Sequence, residues 1–315
     1  MAIAENLSLL VGNTPLFEPR SYMKIRGCKS RLFLKLEAQN PSGSSKDRAA
    51  LLIIKSAIKS GELSPSGCVI VPTSGNMGIS FAAITASLGI GCIIVLPEFT
   101  SPIKLALISS YGAKTVKTPS ALGMSGAVRA ARELKNKIPG SLFIDQFTNE
   151  LSLTAHYMTT GPEIARDICE QKGSPVPTAL VAGVGSAGTL CGTGKYLRER
   201  FPKIDIVAVE PRESPVLSGG KPSPHKIEGI GANFVPPLFD RALCSEIIPV
   251  GAEDALSECA FLARHEGLFV GPSSGAALSA ALSLSQRERH ASGAIVVILP
   301  DSGNRYISDD IFGKE

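Results

Sequence analysis

The sequence of 315 residues has little net charge, and this argues against a protein that binds nucleic acid. The formal net charge is +4, and no basic run is interleaved with aromatic residues. Proteins that bind nucleic acid usually carry a basic patch or stripe, so no nucleic-acid partner is expected. No apolar stretch approaches the roughly 20 residues of a membrane-spanning helix, so no membrane partner is expected either.

Paired cysteines and clustered histidines are also missing. The seven cysteines form no C-x-x-C pair, and several lie within apolar runs. Met1–Leu7 has neither the charged nor the apolar part of a signal peptide. These features predict buried free thiols in a reducing cytoplasm. The four histidines are far apart and lack metal-ligand spacing, so no metal site is predicted.

Short β-branched segments alternate with segments of helical periodicity along the chain. The predicted strands are apolar and nearly continuous, as in parallel strands covered on both faces, and comprise residues 32–36, 68–72, 92–96, 178–182, 204–209 and 295–299. Helical spacing of apolar residues predicts helices at 47–60, 77–88, 103–111, 125–137, 153–170, 189–200, 253–265 and 276–289. This alternation predicts an α/β fold with mostly parallel sheets.

Lys46 lies where a Ser/Gly-rich turn, residues 40–45, meets a predicted helix. A helix start offers unpaired N–H groups and the positive end of the helix dipole, which favours the neutral form of a nearby amine. A neutral amine is the form that condenses with an aldehyde to a Schiff base. An isolated Ser-Ser-Lys is more often a surface lysine, so this assignment depends on the rest of the chain.

Three further loops carry small polar residues before predicted helices. Residues 73–78 offer hydroxyls, an amide and N–H groups to a carboxylate or a phosphate, and an ordinary capped turn is equally compatible. Residues 183–188 match G-x-G-x-x-G with Glu210 after the next strand, which fits a dinucleotide or, with the Thr189 hydroxyl, a phosphate. Residues 271–275 form a serine turn that caps a helix or donates to a ring nitrogen.

One imine lysine and three polar loops together fit a phosphorylated ring aldehyde, pyridoxal 5′-phosphate. In these segments the chain resembles the cysteine synthase (O-acetylserine sulfhydrylase) and cystathionine β-synthase family of fold type II, tryptophan synthase β-like enzymes. The resemblance extends to residues 11–16, 35–37, 145–147, 159–164, 225–231 and 300–306. It implies two intertwined three-layer α/β/α domains. Residues 1–41 and 147–315 would form the larger domain, and residues 42–146 a smaller mobile one.

The resemblance also implies a role for each matching residue. Lys46 would hold the cofactor as an imine and act as the catalytic base. The other residues implied for cofactor binding are Asn76, Gly185, Ser186, Ala187, Gly188, Thr189 and Ser273, with Ser274 less favoured than Ser273. The residues implied for substrate binding are Thr73, Ser74, Asn76, Met77 and Gln146.

The activity that the resemblance implies is a β-replacement. O-acetyl-L-serine would lose acetate, and the resulting aminoacrylate would take up sulfide to give L-cysteine. A homodimer is implied, as is a partner that inserts a C-terminal peptide, serine acetyltransferase.

Several alternatives stay open. Met77 replaces the threonine that is usual in cysteine synthases, and β-cyanoalanine synthases resemble this chain there. β-Cyanoalanine synthase and cysteine desulfhydrase are therefore alternatives. Cystathionine β-synthase is less favoured, because no haem-binding extension or regulatory module is recognised. An NAD-dependent dehydrogenase and a non-catalytic, partner-binding homologue are also less favoured, because Lys46, Asn76 and Ser273 are all present.

Overall fold

The computed structural model describes residues 3–64, 66–171 and 173–309. Contacts between Cα atoms divide the chain into two compact units. The first unit comprises Met1–Val11 and Asn40–Ser152, and the second comprises Gly12–Gln39 and Leu153–Glu315. The domain ranges implied by the resemblance stay a prediction. None of the helices in the described ranges has both the length and the apolar character that a bilayer crossing requires.

Strands and helices alternate along the described residues. The strands are β1 (Leu16–Phe17), β2 (Arg31–Leu36), β3 (Cys68–Pro72), β4 (Gly91–Pro97), β5 (Lys114–Thr118), β6 (Leu142–Phe143), β7 (Pro177–Gly183), β8 (Asp205–Pro211), β9 (Glu246–Val250) and β10 (Ala294–Leu299). The helices are α1 (Arg20–Arg26), α2 (Lys46–Ser60), α3 (Asn76–Ser87), α4 (Pro102–Ser110), α5 (Gly123–Lys137), α6 (Leu151–Met158), α7 (Thr160–Glu170), α8 (Gly188–Arg200), α9 (Ala252–Glu266) and α10 (Pro272–Ser285).

The first unit is built on a four-stranded parallel sheet with strand order β5-β4-β3-β6. The central strands β3 and β4 are apolar on both faces and pair in register from Cys68 with Gly91 onward. Ile70 and Val95 pack against Ala127 and Ala131 of α5, whose small side chains let the helix lie close to the sheet. Burial of these side chains stabilises the sheet that carries the loops after β3 and β6.

The second unit is built on a six-stranded sheet with strand order β1-β2-β10-β7-β8-β9, in which only β1 runs antiparallel to its neighbour. Alternate side chains of its strands enter two separate core clusters. Val207 belongs to the cluster with α9 and α10, whereas its neighbour Ala208 belongs to the cluster with α7 and α8. Because successive side chains of a strand point to opposite faces, helices cover this sheet on both sides. The predicted α/β fold with parallel-rich sheets is confirmed.

Each of the six predicted strands is present, but the sequence analysis missed β1, β5, β6, β9 and α1. β5 reads Lys-Thr-Val-Lys-Thr at the edge of its sheet, where only part of the strand is buried and no apolar run is needed. The helix predicted over 153–170 is two helices, α6 and α7, that part at Thr159. The last predicted helix begins at Pro272 rather than Ala276, so the serines of the third loop lie in its first turn.

Candidate functional site

Lys46 is the first residue of α2, as the sequence predicts, and its side chain is half-buried. Ser45, the residue before it, forms no side-chain cap. The turn is held instead by Asp47, whose buried carboxylate accepts the Ser42 N–H at 2.7 Å and the Ser42 hydroxyl. Gly43 adopts a φ of 86°, which favours glycine, and donates its N–H to the Asn40 carbonyl at 2.7 Å. The backbone that carries Lys46 is therefore fixed by its own neighbours.

The loop after β3 joins the sheet of the first unit to α3. The Thr73 N–H donates to the Val95 carbonyl at 2.9 Å, and the Thr73 hydroxyl accepts the Gly75 N–H at 3.2 Å. Asn76 then begins α3, and the buried Met77 follows with 2% of its surface exposed. On the next turn, Ser80 Oγ lies 3.1 Å from Ser42 Oγ, so the Lys46 turn and α3 are bonded together.

Gln146 follows β6, which pairs in parallel with β3. The Ile144 N–H donates to the Ile70 carbonyl at 3.0 Å, which extends this pairing toward Gln146. The carboxyl ends of parallel strands meet at one edge of a sheet, where open α/β sheets place their ligands. In the first unit the structure thus brings Gln146 and the 73–77 loop to the same edge.

The predicted phosphate loop, residues 185–189, connects β7 to α8 in the second unit. A Cβ on Gly185 would lie 2.5 Å from the Gly229 carbonyl oxygen, so only glycine fits there. Ala187 adopts a left-handed φ of 71°, which turns the backbone into the helix. The first N–H groups of a helix have no partner within the helix and bind phosphate readily. This tight loop, with the hydroxyls of Ser186 and Thr189 beside it, fits the phosphate of pyridoxal phosphate.

His156 lies beside the phosphate loop, and the sequence analysis gave it no role in the site. Its side chain is 1% exposed, and Nε2 lies 3.1 Å from the Thr189 hydroxyl. Nδ1 lies 2.8 Å from the Thr160 hydroxyl on α7. The imidazole therefore orients Thr189 through one nitrogen while Thr160 orients the imidazole. The sequence holds only a weak signal for the contact between His156 and Thr160, which are four residues apart. Thr189 is brought near His156 only by packing.

Ser273 lies in the first turn of α10, and 2% of its surface is exposed. A Cβ on Gly229 would lie 3.5 Å from Ser273 Oγ, so residue 229 adjoins both Ser273 and Gly185. The Gly231 N–H donates to the Val184 carbonyl at 3.0 Å, which holds the 229–231 segment against the phosphate loop. The structure thus brings residues 185–189 and Ser273 together within the second unit.

Glu210, the acid that suggested a dinucleotide, is used internally. Its buried carboxylate accepts the Leu217 N–H at 2.7 Å, the Ser218 N–H at 3.1 Å and the Ser218 hydroxyl at 2.5 Å. A dinucleotide fold needs this acid for the ribose hydroxyls. Three donors of the following loop already bind Glu210. The dehydrogenase interpretation therefore lacks the acid that would bind the ribose.

Comparison with known proteins gives a consistent result. Residues 7–301 match the family model described as pyridoxal-phosphate dependent enzyme. The chain is 42% identical over 312 residues to a probable cysteine synthase of Bacillus subtilis, covering 99% of both chains. It is 39% identical over 308 residues to a cysteine synthase of Staphylococcus aureus, covering 98% of this chain and 97% of the relative. It superposes on a cysteine synthase structure from Entamoeba histolytica with a TM-score of 0.93 and 33% identity, covering 100% of this chain and 92% of that one.

Proposed function

The chain belongs to the family of pyridoxal-phosphate dependent enzymes, and on that premise we propose that it makes L-cysteine from O-acetyl-L-serine and sulfide. The observation that carries this proposal is the match to cysteine synthases at about 40% identity over nearly the whole of both chains. The loops that the resemblance singled out also occupy structured positions: α2 begins at Lys46, α3 at Asn76 and α8 at Gly188. A transferase of cysteine biosynthesis accounts for all of them.

The proposed cofactor-binding residues are those that the family resemblance implies. When bound, pyridoxal phosphate supplies an electron-withdrawing ring that stabilises negative charge at the substrate Cα. Lys46 would hold its aldehyde carbon, Asn76 its ring hydroxyl and Ser273 its ring nitrogen. Gly185, Ser186, Ala187, Gly188 and Thr189 would hold its phosphate. A serine hydroxyl, unlike an aspartate carboxylate, does not favour a protonated ring nitrogen, which suits prompt loss of a β-substituent over transamination.

The chain's own residues would carry out the remaining steps. Donors of Thr73, Ser74, Asn76 and Gln146 would bind the α-carboxylate, and Met77 would contact the substrate without a hydroxyl. Once the substrate's amino group has displaced it from the aldehyde carbon, the free Lys46 amine would take the Cα proton as general base. The Cβ–O bond then breaks and acetate leaves with the electron pair. Sulfide forms the new Cβ–S bond, and Lys46 returns the proton to Cα.

We further propose that the protein is a cytoplasmic homodimer that binds the C-terminal peptide of serine acetyltransferase. The cytoplasmic location is supported by the seven cysteines, all of which are free thiols. The dimer and the peptide partner rest on the family resemblance. Light scattering on the purified protein measures the first, and titration with the peptide measures the second. A monomeric mass, or a peptide that does not bind, would contradict the respective proposal.

Lys46 is tested by reduction and substitution. The purified protein is expected to be yellow, and borohydride is expected to fix the cofactor's mass on the peptide that contains Lys46. Lys46→Ala is expected to lose the yellow imine absorption and turnover. Lys55→Ala, an exposed lysine of the same helix, is the matched control and keeps both. Turnover by Lys46→Ala at the wild-type rate would contradict the proposed role.

Assays of the wild type and of Met77 variants decide between cysteine synthesis and the alternatives. Wild type is assayed with O-acetylserine plus sulfide, cysteine plus cyanide, cysteine alone, and cysteine plus homocysteine. Met77→Thr restores the hydroxyl usual in the resembling family and is expected to shift relative rates several-fold toward sulfide addition. Met77→Leu, which keeps an apolar side chain of similar size, is the control for packing at this buried position. Cysteine plus cyanide as the fastest pair in wild type would favour β-cyanoalanine synthase.

A further inference from the structure

An open cavity of about 420 Å³ lies in the second unit, at the amino ends of three neighbouring parallel strands. Its wall is formed by the end of α1 and the turn into β2, by the loop before β7, and by the turn before β10. The pairing of Ala294 with both Arg31 and Pro177 places the starts of these strands side by side.

This cavity is separate from the segments discussed above. The phosphate loop follows the carboxyl end of β7, whereas the cavity adjoins its amino end. Seven residues of strand at about 3.3 Å each span roughly 20 Å. A ligand in this cavity would therefore be distinct from the substrate and the cofactor of the proposed reaction.

The described residues that line the cavity include three cationic ones, Lys24, Lys29 and Arg31, and neither Asp nor Glu. Arg31 is half-buried and held in place, because its Nε donates to Glu18 at 2.6 Å and Nη1 to the Gly173 carbonyl at 3.3 Å. A guanidinium has five N–H donors, so donors remain for a ligand. Lys24 and Lys29 are exposed, and neither forms an ion pair within the part of the chain that the structure describes.

The position of these cations is not explained by helix stability alone. Lys24 lies in the last turn of α1, where a cation complements the helix dipole. Lys29 and Arg31 lie beyond the end of that helix, which Gly27 terminates with a left-handed φ of 64°. Two of the three cationic residues therefore line the cavity without a helix end to account for them.

We propose that this cavity binds a small phosphorylated organic molecule. A volume of about 420 Å³ lies within the usual range of small-molecule pockets, roughly 300–1,000 Å³, and exceeds what an inorganic ion needs. A planar guanidinium matches the oxygens of a phosphate, and the two exposed lysines add positive charge. Met23 and Pro175 provide apolar wall for the organic part.

Titration calorimetry on the cofactor-loaded enzyme tests the proposal, because the cofactor then fills the predicted phosphate loop. The probes are adenosine 5′-monophosphate and glycerol 3-phosphate, with inorganic phosphate and citrate as comparisons. The double variant Lys24→Gln/Lys29→Gln removes two cations from the cavity. Lys203→Gln/Lys221→Gln makes the same charge change at exposed lysines that do not line it. The cavity variant is expected to bind the phosphate esters about 10-fold or more weakly than wild type, and the control variant to bind unchanged.

Cys28, which lines the cavity, provides an independent readout of location. Its thiol is half-buried, and burial raises its pKa, so labelling is carried out at about pH 8.5 and measured by mass spectrometry. The half-buried Cys68 of the first unit is the internal reference. A phosphate ester in the cavity is expected to slow labelling of Cys28 several-fold and to leave Cys68 unchanged.

The proposal fails on any of three results. The first is a dissociation constant weaker than about 1 mM for every phosphate ester. The second is equal binding by the cavity and control variants. The third is citrate binding as tightly as the phosphate esters, which would replace phosphate recognition by general anion attraction. None of these depends on turnover, so they are distinguishable from a failure of cysteine synthesis.

Discussion

Substitution of Lys35 by methionine is expected to destabilise the second unit strongly. Lys35 is 0% exposed, and its ammonium lies 2.8 Å from Glu163 Oε2 and 3.9 Å from Asp167 Oδ2. It also donates to the Thr14 carbonyl at 2.6 Å. Methionine keeps the length of the side chain and removes the charge. Residues 35 and 163 both lie in segments that the family resemblance covers, yet neither is a proposed site residue.

The magnitude follows from what the substitution leaves behind. Glu163 keeps the Asn13 N–H, 2.9 Å from its Oε1, but its buried second oxygen loses the ammonium. Breaking a buried ion pair by removing one partner costs about 3–5 kcal/mol. With a urea m-value of roughly 3 kcal/mol per M for a protein of this size, the midpoint of unfolding should fall by about 1–2 M.

The assay is urea unfolding at saturating cofactor, with two comparison variants. Lys35→Met/Glu163→Leu removes both charges and is expected to recover at least half of the loss, because the carboxylate that loses its ammonium is removed as well. Arg287→Met breaks an ion pair whose side chains are 45% and 37% exposed, and it should cost no more than about 1 kcal/mol. Equal effects of Lys35→Met and Arg287→Met would refute the argument that burial sets the cost.

Three further predictions concern the phosphate loop and the pH dependence of stability. Gly185→Ala should weaken cofactor binding about 10- to 100-fold, because its Cβ would meet a backbone carbonyl at 2.5 Å. Gly91→Ala, whose Cβ would have no atom nearer than 3.5 Å, should leave cofactor binding unchanged. Spectroscopic titration of the apoprotein with the cofactor distinguishes the two variants. His156→Asn should weaken cofactor binding about 5-fold by releasing the Thr189 hydroxyl, and unchanged affinity would contradict the positioning role. Burial lowers the pKa of His290 below its ordinary 6.5 in the folded protein, so the unfolded chain takes up its proton first as pH falls. Stability should therefore decline below about pH 6.5, and His290→Gln should decline less steeply in urea titrations at pH 7.5 and 5.5.

The central strands could be predicted from sequence because burial on both faces demands apolar residues. β3 and β10 are continuous apolar runs, because polar side chains would be buried there on either face of the sheet. Edge strands obey no such demand. β9 lies at the edge of its sheet and is only partly buried along most of its length, so no periodic pattern indicates it.

The proposed site divides in the same way. Lys46 and the 185–189 loop could be predicted because each depends on local chemistry, a helix start after small residues. His156 could not, because its contact with Thr189 joins residues 33 positions apart, through α6 and α8.

Residue type and spacing alone determined the α/β class, the lysine at a helix start and the small polar loops that precede helices. These properties follow from backbone periodicity and the groups that a helix start leaves unpaired. Tertiary structure alone decided which partners each polar side chain has. In the fold, Glu210 accepts hydrogen bonds from Ser218 rather than from a nucleotide, and Lys35 pairs with Glu163 in the core. Such choices depend on distances between segments far apart in the chain, which local patterns do not encode.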